Sequence, residues 1–243
     1  MALTFLSAAW RKLIMANYVV PENLLLPYLP VGTEFDLYQG RCYVSLIGFL
    51  FADVQLKGWR IPFHTNFEEV NLRFYVKHTD GAGVSHRGVV FLQELVPRFA
   101  VSFIANTLYG ESYVTRATRH QWKRSGEALK VRYEWRWNST WRSMEVIAST
   151  QTEPITESSV EEFITEHYWG YTRRSAKRTS GYEVAHPRWE VYPVRQFVTD
   201  IDFRAQYGEE FAMLQGQEPE SVLLAEGSEV TVKSGAGVEL GGR

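Results

Sequence analysis

Apolar and polar residues alternate along much of the chain, with the two-residue period that is typical of β-strands. Residues 43–51 are apolar at nearly every position, so we expect that strand to lie between two packed layers. Residues 67–77 show the clearest alternation, which predicts one apolar and one polar face. The apolar face would carry Val70, Leu72, Phe74 and Val76, and the polar face Glu69, Asn71, Arg73 and Tyr75.

Residues 88–120 predict a strand, a helix and a second strand. The helix is predicted over residues 99–109, after Pro97, and Gly110 would end it. Between Phe99 and Leu108 there is no charged residue, so we expect other elements to cover this helix on all sides. Strands are the most abundant predicted elements, and no alternation of strands with helices appears. The chain is therefore predicted to be mainly β (α+β): a mostly antiparallel cone or barrel around a buried helix, with a few peripheral helices.

We expect a single domain over residues 1–243. Residues 1–30 are predicted to form an N-terminal helical segment, because the apolar residues between positions 5 and 14 recur at helical spacing and Pro21 opens a second short helix. Residues 234–243 are rich in glycine and are predicted to form a flexible tail.

Charge and composition exclude several classes of protein. The net charge of −2 argues against a nucleic-acid-binding protein, which would need a strong positive field. No apolar run reaches the length of a membrane helix, and Arg11 and Lys12 interrupt the first apolar stretch, so we expect a cytoplasmic protein without a membrane partner. Cys42 is the one cysteine, and no phosphate-binding, dinucleotide or zinc motif occurs. Neither a cofactor nor a metal is predicted, and self-association into a homo-oligomer stays open.

Two charged residues are the strongest candidates for a site. Glu94 is predicted on the same strand face as Val90 and Leu92, where a carboxylate would be an acid–base group in a pocket or a buried partner of Arg73, Arg98 or backbone N–H groups. Arg73 would bind a carboxylate if its face lines a cavity, and would form an ordinary cross-strand ion pair if that face meets water.

Further polar residues are candidates for lining the same space. Asn106 is the one amide inside the apolar helix, and either binds a neighbouring strand or faces a ligand. Tyr109 and Tyr113 flank Gly110 and could direct their hydroxyl groups inward, whereas His64 precedes the strand that carries Glu69 and would stand at a cavity mouth.

Several blocks of sequence resemble the YqjF-like family of uncharacterised bacterial proteins. That family is similar in turn to the acetoacetate decarboxylase-like superfamily, whose fold is a β-cone or barrel that encloses a cavity. The resemblance therefore implies the same fold as the strand pattern. The matching blocks are residues 67–76, 87–91, 105–109, 163–168 and 184–189.

The resemblance also implies which chemistry is missing. Acetoacetate decarboxylase uses a lysine as a Schiff-base nucleophile, and the match places it near Asn106 and Thr107. No lysine occurs between Lys77 and Lys123. A glutamate of the superfamily corresponds to Ser45. The resemblance thus implies the fold without the decarboxylation.

Two functions remain. In the first, the cavity binds a small organic molecule that is anionic or carries a carbonyl group, with Arg73 as its anchor. In the second, the protein is a lyase, hydratase or isomerase that needs no lysine, with Glu94 as the acid–base group and Tyr109 or Tyr113 as the hydrogen-bond donor.

Overall fold

The computed structural model describes residues 4–60, 65–97, 113–233 and 238–241. In these ranges the chain forms one large sheet and a second sheet of four strands. The strands are β1 (Thr4–Val20), β2 (Glu34–Phe35), β3 (Cys42–Leu56), β4 (Trp59–Arg60), β5 (Phe67–Thr79), β6 (Ser85–Val96), β7 (Tyr113–Thr115), β8 (Thr118–Ser125), β9 (Ala128–Trp137), β10 (Thr140–Ser149), β11 (Glu153–Pro154), β12 (Trp169–Ser175), β13 (Arg178–Ala185), β14 (Glu190–Tyr192), β15 (Val194–Thr199), β16 (Ser221–Lys233) and β17 (Val238–Gly241).

The pairings of the large sheet close on themselves. They run β16–β1–β3–β5–β6–β12–β13, and β13 pairs again with β16 through Val184–Val232 and Ala185–Thr231. Almost all of these pairs are antiparallel; β12 and β7 lie parallel to β6. The predicted mainly β, mostly antiparallel architecture is therefore confirmed.

The close approach of β6 and β12 depends on a glycine. A Cβ atom at Gly88 would lie 2.6 Å from the carbonyl oxygen of Trp169 and 2.6 Å from the ring of Tyr171. Because real Cβ atoms do not come so close to other atoms, a larger residue here would push the two strands apart.

The predicted N-terminal helical segment is wrong for residues 4–20, which form β1, whereas the second short helix predicted after Pro21 is confirmed by Glu22–Leu25. β1 pairs with β16 on one side and β3 on the other, and residues 13–18 are buried on both faces. Residues 5–12 are mostly half-buried, and their apolar residues also satisfy helical spacing. A bulge between Arg11 and Ile14, with Lys12 at φ 53°, interrupts the two-residue alternation as well.

The closed sheet has two apolar faces, as the doubly apolar pattern of residues 43–51 predicted. The inner face is the side on which Tyr43, Ile47 and Phe49 of β3 meet residues of β13 and β16. The outer face packs Val44, Leu46 and other residues against the four-stranded sheet β15–β10–β9–β8.

Three short helices connect the strands: α1 (Glu22–Leu25), α2 (Val160–Thr165) and α3 (Phe203–Tyr207). Phe163 and Ile164 of α2 belong to the inner apolar cluster, whereas Leu25 of α1 and Phe203 of α3 belong to the outer one. Short 3₁₀ helices follow α1 at Leu26–Tyr28 and α3 at Glu209–Leu214. Ser159 caps α2 by accepting a hydrogen bond from the backbone N–H of Glu162 at 3.1 Å. No helix in the described ranges has the length and apolar character needed to cross a membrane.

The apolar helix predicted over residues 99–109 lies outside the described residues. Of the predicted flexible tail, Val238–Gly241 forms β17 and pairs with Arg178–Gly181 of β13. The flexibility of the tail stays a prediction.

Candidate functional site

A row of polar side chains on β5 lies on the inner face of the closed sheet. The neighbours Val70, Leu72 and Phe74 belong to the outer apolar cluster, so the predicted alternation is confirmed. Glu69 and Asn71 are each 2% exposed, whereas Arg73 is half-buried. Charged and amide groups therefore sit in the interior of the closed sheet.

A β-bulge brings Glu94 to the same face. Phe91 pairs with Arg73 and Gln93 with Leu72, so Leu92 is an extra residue in β6. Because one inserted residue reverses the alternation, Glu94 pairs with Asn71 on the inner face. The prediction that Glu94 shares a face with Val90 and Leu92 is wrong for this reason, since Val90 and Leu92 lie on the outer face.

Four of the predicted site residues therefore meet on one face: Glu69, Arg73, Glu94 and Tyr113. Asn71 donates a hydrogen bond from Nδ2 to Oε1 of Glu69 at 2.9 Å, and the Tyr113 hydroxyl donates to Oε2 at 3.4 Å. Glu94 is 1% exposed and lies between Asn71 of β5 and Tyr113 of β7 in the pairing. Three other predicted residues, His64, Asn106 and Tyr109, lie outside the described residues.

Arg73 has more hydrogen-bonding capacity than the described chain uses. Its Nη2 donates to the carbonyl oxygen of Ile164 at 3.4 Å, and its guanidinium carbon lies 5.6 Å from the centre of the Tyr75 ring. Its Nε is buried and has no hydrogen-bond partner among the described residues. The cross-strand ion pair considered as an alternative for Arg73 does not occur within the described residues. The face of β5 that carries Arg73 is directed to the interior of the closed sheet.

A chain of buried hydrogen bonds holds Tyr75, whose ring contacts Arg73. Tyr75 and Ser45 share a hydrogen bond of 2.6 Å, and the Ser45 hydroxyl donates to Oδ1 of Asn17 at 2.6 Å. Asn17 donates in turn from Nδ2 to the Ser221 hydroxyl at 3.0 Å. Since the single proton of Ser45 goes to Asn17, Tyr75 is the donor to Ser45. Asn17 was not singled out from the sequence, although an amide inside an apolar run was a usable signal.

The ring of Tyr75 also contacts a buried histidine, His167. The rings of His167 and Tyr75 lie 4.7 Å apart, and His167 Nε2 is 3.0 Å from Oδ2 of Asp36. The same oxygen accepts from Nε of Arg87 at 2.6 Å. These residues come from distant parts of the sequence, and no spacing signal could have joined them.

The charges of this cluster follow from burial and pairing. Burial lowers the pKa of His167 to about 4, and the hydrogen bond to Asp36 only partly opposes this shift. Burial alone would raise the pKa of Asp36, but hydrogen bonds from His167 and Arg87 hold it below its ordinary value. At neutral pH, His167 is therefore a neutral imidazole that donates from Nε2 to an ionised carboxylate.

The donor set offers no metal site within the described ranges, because no three His, Cys, Asp or Glu side chains converge there. Among the residues that the structure describes, the inner face offers the underused guanidinium group of Arg73 and the buried carboxylates of Glu69 and Glu94, arranged around Asn71 on adjacent strands. This arrangement suits the recognition of a small polar molecule.

Comparison with solved structures identifies the fold. The acetoacetate decarboxylase of Legionella pneumophila superposes with a TM-score of 0.64 at 9% identity, covering 97% of this chain and 87% of that chain. An acetoacetate decarboxylase-like enzyme from Sphingomonas wittichii RW1 gives 0.64 at 11% identity, over 99% and 94%. The enduracididine biosynthesis enzyme MppR, complexed with pyruvate, gives 0.64 at 10% identity, over 98% and 91%. The protein thus has the acetoacetate decarboxylase-like fold.

The chain belongs to the DUF2071 family of uncharacterized conserved proteins, which matches residues 7–229. It is also similar to the uncharacterized protein YqjF of Bacillus subtilis (strain 168), with 28% identity over 76 residues. That match covers 31% of this chain and 31% of YqjF. The resemblance to YqjF-like proteins and to the decarboxylase-like fold is confirmed.

Proposed function

We propose that the inner face binds a small organic carboxylate, of the kind that carries a carbonyl group, with Arg73 as its anchor. The observation that carries this proposal is the unused capacity of the Arg73 guanidinium group. A half-buried cation with a donor left without a partner is costly, because the group has lost water without gaining a hydrogen bond. A carboxylate would accept two parallel hydrogen bonds from this planar group and would remove that cost.

The distribution of lysines supports binding without Schiff-base chemistry. All seven lysines of the chain lie in the described ranges, and Lys57, Lys123 and Lys177 are exposed. The other four form ion pairs with glutamates: Lys12 with Glu226, Lys77 with Glu34, Lys130 with Glu145 and Lys233 with Glu183. None of the seven forms an ion pair with Glu69 or Glu94, so we propose that no amine takes part at this site.

Pyruvate and acetoacetate are suitable first probes. MppR has been solved with pyruvate, and the decarboxylases that share the fold are named for acetoacetate. Isothermal titration calorimetry with each acid should show saturable binding to the wild-type protein. Replacing Arg73 by Met should weaken binding by about 10- to 100-fold, the equivalent of about 1.5–3 kcal/mol for hydrogen bonds to a charged group.

Matched variants give this test its controls. Arg73→Lys keeps the charge but loses the planar pair of donors, so its affinity should fall between wild type and Arg73→Met. Arg195→Met removes an exposed arginine on β15 and should leave binding unchanged. Wild-type affinity in a folded Arg73→Met protein would refute the anchor, and a folded wild-type protein that binds neither acid would refute the proposal.

A second candidate function rests on the position of Glu94. This carboxylate is buried on the same face as Arg73 and lies beside Tyr113, whose hydroxyl would turn from Glu69 to donate to the carbonyl oxygen of the substrate. In that case Glu94 would accept a proton from the carbon next to the carbonyl group and leave an enolate. No metal or amine is needed for the proton transfer itself.

Deuterium exchange separates the two functions. The methyl protons of pyruvate can be followed by NMR in D₂O, with and without protein. For the enzyme, exchange should be accelerated, and Glu94→Gln should abolish the acceleration with little loss of binding. For the binding protein, exchange should match the buffer rate, and Glu94→Gln should leave affinity mostly intact.

A further inference from the structure

Accessibility on the inner face is uneven around Arg73. Ser45, Asn71 and Tyr75, three of its neighbours in the sheet, are buried. Phe91 is only partly buried, like Arg73 itself. Of these four neighbours, Phe91 is therefore the one that keeps accessible surface, and its side chain is apolar.

Phe91 stands directly opposite Arg73 in the pairing of β5 and β6. Side chains of such a pair start about 4.5–5.5 Å apart and lie on the same face of the sheet. A carboxylate held by Arg73 would thus place its remaining atoms within reach of the Phe91 ring.

The Phe91 ring packs against the inner apolar cluster but lacks the aromatic contacts that other residues of this face have. The rings of Phe49 and Phe51 lie 5.0 Å apart in a tilted arrangement, and Tyr75 contacts Phe163 and His167. Phe91 has no aromatic pair among the described residues. An accessible apolar ring without such a partner gains free energy when another apolar group covers it.

We propose that Phe91 determines specificity, selecting small carboxylates that carry an apolar chain over those that carry none. This inference rests on the proposed function, since it takes Arg73 to hold the carboxylate. The ligand class narrows to oxo acids with an aliphatic tail of several carbons. Phe91 contacts the tail and takes no part in holding the charge.

A series of 2-oxo acids of increasing length provides the test. Pyruvate, 2-oxobutyrate and 2-oxovalerate differ by one methylene each, and affinity for the wild-type protein should rise about fourfold with each methylene buried. Arg73→Met should lower the affinity for every acid of the series by a similar factor and should leave the fourfold gain for each methylene unchanged. The two residues thus affect different quantities, the overall affinity and its dependence on tail length.

Leucine and asparagine at position 91 form a matched pair of similar size. Phe91→Leu should keep most of the fourfold increment, because it leaves an apolar wall. Phe91→Asn should reduce the increment below about twofold while pyruvate affinity stays nearly unchanged. In the wild-type protein, NMR should show nuclear Overhauser contacts between the Phe91 ring protons and the terminal methyl group of 2-oxovalerate.

The outcomes separate the two proposals. An undiminished increment in Phe91→Asn, or the absence of the contacts to the methyl group, would overturn this inference while Arg73-dependent binding still supported the proposed function. Loss of the increment in Phe91→Leu as well as in Phe91→Asn would also count against the apolar wall. No binding of any acid to the wild-type protein would overturn both.

Discussion

The single variant Ser45→Ala should be less stable than the double variant that combines Ser45→Ala with Tyr75→Phe. Ser45 accepts from Tyr75 and donates to Asn17, and all three side chains are buried. Ser45→Ala leaves two buried polar groups without a partner, the Tyr75 hydroxyl and Oδ1 of Asn17. Tyr75→Phe leaves Ser45 still bonded to Asn17.

The magnitudes follow from counting these groups. A buried group left without a partner costs about 1–3 kcal/mol, and a lost hydrogen bond between neutral groups costs about 1 kcal/mol. We expect a destabilisation of about 1 kcal/mol for Tyr75→Phe and about 3 kcal/mol for Ser45→Ala. The double variant should lie between them at about 2 kcal/mol, because it removes one of the two unpaired groups. Adding Tyr75→Phe to the Ser45→Ala variant should therefore raise the free energy of unfolding of that variant.

Urea unfolding at pH 7, followed by circular dichroism, measures these differences. Ser125→Ala is a suitable control, since this serine is exposed and should change the free energy of unfolding by less than about 0.5 kcal/mol. The phenylalanine variant keeps the ring that packs on His167. A double variant less stable than Ser45→Ala would refute the assignment of Ser45 as the hydrogen-bond partner of the Tyr75 hydroxyl.

Two further predictions concern stability. Gly227→Ala should destabilise the protein by roughly 3 kcal/mol or more in the same assay, because Gly227 has φ +82° and a Cβ atom would lie 2.1 Å from the carbonyl oxygen of Trp10. Gly40 also has positive φ, but nothing lies within 4 Å, so Gly40→Ala should cost only about 1 kcal/mol; equal losses would refute the close contact. His167 binds protons more weakly when folded (pKa about 4) than when unfolded (about 6.5), so stability should fall by up to about 3 kcal/mol between pH 6.5 and 4. His167→Gln should flatten this part of the profile, and an unchanged slope would mean that His167 is not the residue responsible.

The sequence predicted the part of the site that follows from strict alternation. Glu69 and Arg73 are four residues apart on one strand. Because side chains alternate with a period of two, their shared face could be assigned without coordinates. Glu94 was assigned to the wrong face, because the bulge at Leu92 leaves no mark in the sequence. The first half of β1 was mistaken for a helix, because bulges between Ser7 and Ala9 and between Arg11 and Ile14 interrupt the two-residue period there.

Contacts between distant segments could not be predicted. Asp36 follows β2 and His167 follows α2, and they meet because both segments pack against Tyr75 of β5. Neither residue belongs to a recognisable motif. The same holds for Ser221 and Asn17. Such pairs depend on the order of strands in the sheet, which local pattern does not determine.

The pairing of β1 with β16 has a consequence for synthesis. The register of β1 and β16 runs from Asn17–Ser221 to Thr4–Lys233, so one edge of the first strand waits for a partner that leaves the ribosome 204 to 229 residues later. At 5–20 residues per second this delay is roughly 10–45 s. During that time β1 exposes unpaired backbone groups in an apolar strand, the kind of edge that associates with other chains. A nascent chain of this protein should therefore need protection at its beginning until its final long strand has been made.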